Sequence, residues 1–180
     1  MIACLIQNRP SNKLQKTVIS MAEFKDLETS SRRYIDRYPF PELNAPAFTL
    51  LRKPLADSKI AIVTTAGLHT KDDKPFSTSF ASSDSSFRLI TSDTNRDEIK
   101  ISHTSKEFDR SGVEKDLNIV LPFDRLRELV EQKKLGAIAP RHFSFMGSLP
   151  RTGALKKETA PQVANLLIED GVDIVLLTPV

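Results

Sequence analysis

The sequence predicts an α/β fold: an open, largely parallel sheet with helices on both faces, of Rossmann or flavodoxin type and incomplete at its C-terminus. Three observations predict it. The apolar runs Lys59-Ile60-Ala61-Ile62-Val63-Thr64-Thr65 and Asp173 to Thr178 read as strands buried on both faces. Between them, Phe123-Leu126-Leu129-Val130 and Val163-Leu166-Leu167 recur at helical spacing. The chain then ends on a hydrophobic strand with no following helix to cover it, which predicts further βα units in a complete protein.

Taken in order, residues 1–20 show no periodicity and read as an unstructured tail, with Met21 an alternative start. One α/β domain is expected over 21–180, made of an N-terminal helical segment and linker over 21–58 and a core over 59–180. Ser20-Met21-Ala22-Glu23 fits a capping box, so a helix is expected from Met21, with Thr29-Ser30-Ser31 a break before Tyr34 and Ile35. Pro39, Pro41 and Pro46 mark an extended link to the first strand, which ends at the Ala66-Gly67 turn. Lys71 to Ser86 reads as a surface loop, Phe87 to Thr91 and Ile99 to His103 as short strands, and Leu117 to Leu121 as a strand end or a helix entry. Pro122 suits the first turn of a helix that closes at Lys133, Lys134 and Gly136. A strand from Leu135 to Ala139, a loop from His142 to Gly153, a helix from about Thr159 to Asp170 and a buried strand from Asp173 to Thr178 follow.

Composition narrows the function classes. With 39% hydrophobic and 27% charged residues the 180-residue chain is ordinary globular material, and no apolar run is long enough to span a bilayer. The first twenty residues do not fit a secretory signal, and one cysteine, Cys4, permits neither an internal disulfide nor a cysteine-based zinc site, so a reducing, cytoplasmic setting is expected. The 26 Lys and Arg are interleaved with 23 Asp and Glu, so the net charge of +3 reads as a solvated surface and not as a nucleic-acid footprint. Neither G-x-G-x-x-G nor G-x-x-x-x-G-K-[ST] occurs, and three widely spaced histidines match no metal-ligand pattern, so no cofactor or metal is expected in this chain.

In open parallel sheets ligands bind beyond the carboxyl ends of the strands. That rule selects Thr64 to His69, Ser102 to Ser105, Arg141 to Gly147 and Thr178 to Val180, a set that contains all three histidines. His103 and His142 are the candidate catalytic residues, because imidazole exchanges protons near neutral pH. Thr65, Gly67, Ser102 and Ser144 are the candidate substrate-binding residues. A hydrogen-bonded, purely structural histidine is the competing reading of each. Asp109 and Asp116 are lesser acid–base candidates, and Arg151, Lys156 and Lys157 a weak anion-binding group.

The stretch SHTSKEFDRSGVEKDLNIVLPFDRLRELVEQKKLGAIAPRHFSFMG and the closing EDGVDIVLLTPV resemble the glycine/sarcosine/betaine/D-proline reductase selenoprotein B family over roughly Ile60 to Val180. The most specific pieces are Ser102-His103, Asp116-Leu117-Asn118, Pro122 with Leu126, Gly136-Ala137-Ile138, His142 to Gly147, and the strand ending Leu177-Thr178-Pro179-Val180. The resemblance implies a selenocysteine or cysteine immediately after Val180, paired with a nearby cysteine, and an oxidoreductase that breaks an amino-acid C–N bond. It also implies partner reductase subunits and a thioredoxin-type or other thiol–disulfide electron donor. This chain is then a fragment that stops before its redox centre, as when an in-frame UGA is read as a stop, and by itself catalyses little. The rival expectation is a non-catalytic α/β binding module that ends at Val180.

Overall fold

The structure, a computed structural model, describes residues 24–38, 49–106 and 108–180. They fall in two compact units, divided between Phe48 and Thr49. In the first, a 3-10 turn at Phe24–Asp26 precedes helix α1 (Thr29–Arg37), so the break expected at Thr29-Ser30-Ser31 is where the helix starts. Arg32 Nε donates to the Leu27 carbonyl at 2.7 Å and ties the turn to the helix. The capping box at 20–23 and the tail at 1–20 lie outside the described residues.

The second unit is built on β1 (Lys59–Thr64), the central strand. Next come β2 (Leu68–Thr70), β3 (Phe87–Thr91), β4 (Ile99–Ile101), α2 (Arg110–Lys115) and α3 (Phe123–Glu131). The chain closes with β5 (Ala137–Ile138), β6 (Arg141–Phe145), α4 (Ala160–Glu169), entered through a π turn at Leu155–Thr159, and β7 (Ile174–Thr178). On one side β1 pairs in parallel with β7, Ile60 opposite Ile174 through to Thr64 opposite Thr178. On the other it pairs in parallel first with β5 and then with β6, and β3 adds antiparallel to β6. β2 and β4 form a separate antiparallel ribbon.

Alternation along β1 divides the core. Ile60 and Ile62 pack with Phe123 and Leu126 of α3, while Ala61 packs with Val163 and Leu167 of α4, so helices cover both faces as expected. Two expectations are corrected. The loop expected from His142 is strand β6 up to Phe145, with Phe143 and Phe145 on the α4 side and His142 against Phe123 of α3. The polar His142 and Ser144 hid the strand, because both are fully buried and work as hydrogen-bond acceptors. β7, expected to be buried on both faces, is half-exposed: Leu177 retains 66% of its surface, because it lies opposite Val63 on the α4 side of the sheet but outside the cluster that α4 covers.

Candidate functional site

Ile60 pairs with Ile138 but Val63 pairs with Phe143, so the β5–β6 side carries two more residues than β1 over this span. A bulge of this kind removes ladder partners. His142 makes good the loss: its Nδ1 accepts the Ile62 N–H at 2.9 Å. Its proton therefore sits on Nε2, which is buried without a hydrogen-bond partner, and the ring meets Phe123 edge-on at 4.6 Å. Burial pushes the His142 pKa down to about 4, against a weaker opposing pull from the Ala139 backbone. His142 is a neutral residue in the middle of the sheet.

The strand ends are built differently. After β1 the chain turns at Gly67, where φ is 65° and a Cβ would lie 2.1 Å from the Ser102 carbonyl oxygen, so only glycine fits. That close approach, with Ser102 N–H donating to the Gly67 carbonyl at 2.9 Å, brings the segment after β4 beside the end of β1. His103, 2% exposed, is carried there on this segment. The Ser105 N–H donates to its Nδ1 at 3.1 Å, which assigns the proton to Nε2. Arg110 Nη2 holds the His103 carbonyl at 2.6 Å, and Phe108 packs edge-on at 5.0 Å. Burial lowers the His103 pKa from its ordinary value, helped by the charge of Arg110 and opposed by the Thr65 backbone.

Gly147, after β6, closes this corner. A Cβ there would lie 2.7 Å from His103 Nε2, 2.8 Å from the Val180 carbonyl oxygen and 2.9 Å from the Thr65 carbonyl oxygen. Thr65 Oγ1 accepts the Val180 N–H at 2.9 Å, and Thr178 Oγ1 donates to the Val120 carbonyl at 2.8 Å, so the chain after β7 is held at the same place. The structure thus brings together Thr65, His103, Gly147 and Val180 at the carboxyl end of the parallel strands, with Gly67 and Ser102 packed against them. His103 Nε2 makes no well-formed hydrogen bond there, although the Thr65 carbonyl is close enough to favour its protonated form. A buried donor of this kind suits an anionic or strongly accepting group at the strand end.

Other candidates lie elsewhere or are already engaged. Ser144 Oγ accepts the Leu68 N–H at 2.7 Å in the buried core. Ser102 Oγ is 2.9 Å from His69 Nε2, whose Nδ1 lies 2.8 Å from the Thr70 carbonyl, a bridge across the β2–β4 ribbon. Asp109 and Asp116 cap helical turns by accepting from Ser111 and Asn118, and those bonds hold both carboxyls below their usual range. Arg151 donates to Ala81. Gly147 was not distinguished by the sequence from the rest of its segment, since the crowding around its missing Cβ is a tertiary property. Among the described residues no cluster of three His, Cys, Asp or Glu could hold a metal, and no helix is long and apolar enough to cross a membrane.

The sequence is similar to those of known proteins. The chain is 38% identical over 133 residues to D-proline reductase subunit gamma of Acetoanaerobium sticklandii, covering 74% of this chain and 53% of that one. It is 27% identical over 149 residues to sarcosine reductase complex component B subunit beta of Peptoclostridium acidaminophilum, covering 83% of this chain and 34% of the relative. It therefore spans about half of the first relative and a third of the second. No solved structure matches it. The model of the glycine/sarcosine/betaine reductase selenoprotein B family matches residues 18–180, and the chain belongs to that family.

Proposed function

We propose that this chain is the strand framework of a reductase B-type subunit, and that the redox group, a selenocysteine or cysteine, follows Val180. The observation that carries this reading is the placement of the chain after β7: Val180 is held by Thr65 at the strand ends, beside the buried Nε2 of His103. A selenol or thiol there stands where open α/β sheets bind their ligands. Its substrate class is an amino acid whose C–N bond is cleaved by reduction. Such a cleavage takes two electrons and two protons, which a selenol–thiol pair provides on closing to a selenium–sulfur bond and a thioredoxin-type dithiol restores. The one cysteine in the chain, Cys4, fits a reducing, cytoplasmic setting for that exchange.

Within this reading Thr65 positions the chain at the strand end and Gly67 with Ser102 fixes the His103 segment. His142 and Ser144 support the sheet from inside. The chain ending at Val180 lacks the redox group and has little activity alone. The partners are the other subunits of a reductase complex, as the names of both relatives indicate for those proteins.

The test is to read the gene past the Val180 codon and to weigh the native product. A UGA or cysteine codon followed by an open frame with a nearby cysteine, and a product of matching mass and selenium content, supports the proposal. A different stop codon with no open frame overturns it and leaves a non-catalytic α/β binding module ending at Val180.

A further inference from the structure

A buried histidine that only fills space has its ring nitrogens satisfied or faces apolar neighbours. His103 does neither completely. Its Nδ1 is engaged by the Ser105 N–H, its ring edge meets Phe108, and its Nε2, at 2% residue exposure, is left over in a corner of polar atoms. That nitrogen and the carbonyl oxygens of Val180 and Thr65 all lie within 3 Å of the point a Gly147 Cβ would occupy, at 2.7, 2.8 and 2.9 Å. Glycine at 147 is what lets the end of β7 and the His103 ring share one corner. The Ser105 bond fixes which nitrogen bears hydrogen, so in its neutral form the ring offers this corner a donor and no lone pair. Arg110, bonded to the His103 carbonyl, adds a positive charge that opposes an imidazolium.

We infer that His103 is a positioning residue that, as a neutral imidazole, donates its Nε2 hydrogen to the chalcogenolate following Val180 and so holds that group as an anion. This rests on the proposed position of the redox group. It adds the residue that tunes the group, its tautomer and its charge state. No bond is made or broken by His103: the selenol or thiol proton leaves to solvent, and the remaining anion accepts the hydrogen bond.

The experiment uses the full-length product, including the residues after Val180, and follows alkylation by iodoacetamide against pH, with the modified residue located by mass spectrometry. Wild type, His103→Gln and His103→Phe are compared. His103→Phe is expected to alkylate about tenfold more slowly at pH values below its shifted midpoint, the loss of one hydrogen bond to a charged group. His103→Gln keeps an amide donor and is expected to recover part of the rate. Superimposable pH profiles for wild type and both variants overturn the inference while leaving the redox group in place. If no selenocysteine or cysteine after Val180 is modified, the proposed function fails, and this inference with it. Should His103→Phe not fold, His103→Ala, which also lacks a donor, takes its place, and an unshifted midpoint there overturns the assignment.

Discussion

His142 and His103 are the same side chain in the same hydrogen-bond state, placed in two different regions. Each accepts a backbone N–H on Nδ1, each keeps its hydrogen on Nε2, and each Nε2 is buried without a well-formed hydrogen bond. His142 sits in the bulge between β5 and β6, where Nδ1 replaces a ladder acceptor for Ile62 and the ring lies against Phe123. His103 sits at the strand ends, where its Nδ1 bond is to a loop residue two positions on, and Nε2 borders the carbonyls of Thr65 and Val180. The interior histidine supports the sheet, and the rim histidine is supported by it. Residue type in the sequence cannot separate these roles; the identity of the donor on Nδ1 and the surroundings of Nε2 do.

The largest expected effect lies in the interior. His142→Ala leaves the Ile62 N–H without its acceptor and opens a ring-sized cavity, a loss of about 3–5 kcal/mol in chemical denaturation. His142→Phe keeps an aromatic ring, slightly larger than the original, and forfeits the acceptor, so about 1–3 kcal/mol is expected. A cost well under 1 kcal/mol for both would remove the distinction drawn between the two histidines.

Acid comes next. The His142 pKa falls from 6.5 in the unfolded chain to about 4 in the folded one, so between those values the unfolded state binds more protons. Stability from this group is complete above pH 6.5 and is lost as pH falls toward 4, by about 3 kcal/mol at most. His103 shifts in the same direction and adds to the slope. The carboxyls of Asp170 and Asp173, lowered by hydrogen bonds to Arg141 and Lys53, contribute above their unfolded value and are lost only at more acid pH. Urea titrations between pH 7 and pH 4 should therefore show a slope that His142→Phe largely removes. An unchanged slope in the variant would assign the acid sensitivity elsewhere.

The same contrast explains what could be read in advance. β1, α3 and α4 were legible because continuous apolar runs and helical stripes report burial directly. The strand-end rule selected the segments of Thr65, Gly67, Ser102 and His103, and equally that of His142, Ser144 and Gly147, so it named segments without separating the rim from the sheet interior. β6 was not legible, since buried His142 and Ser144 look like loop residues until their partners, the N–H groups of Ile62 and Leu68, are known. Gly147 was not legible for a related reason: nothing local marks a glycine whose Cβ would strike three atoms from three distant segments.

At the rim, Gly147→Ala is expected to cost about 1–3 kcal/mol, because its Cβ must displace His103, Thr65 or Val180. Gly153 supplies the control, since nothing lies within 4 Å of its Cβ position and it starts a helical run. Gly153→Ala should be neutral or stabilising by up to about 1 kcal/mol. Equal effects at the two glycines, read from thermal or urea midpoints, would mean that the corner around His103 is loose rather than closely packed.

The smallest effect separates the chain ending at Val180 from a longer product. Leu177 is 66% exposed on β7, so Leu177→Ser should change the stability of the 180-residue chain by no more than about 0.5 kcal/mol, at any protein concentration. If further chain covers β7 in the full-length subunit, the same substitution buries a polar group in place of a leucine and costs about 2 kcal/mol or more. A large, concentration-dependent cost in the short chain would instead mean that copies of the chain cover this face for one another. The position of Leu177 one residue before Thr178, whose partner in β1 is Thr64, makes this a test of the same strand that delivers Val180 to His103.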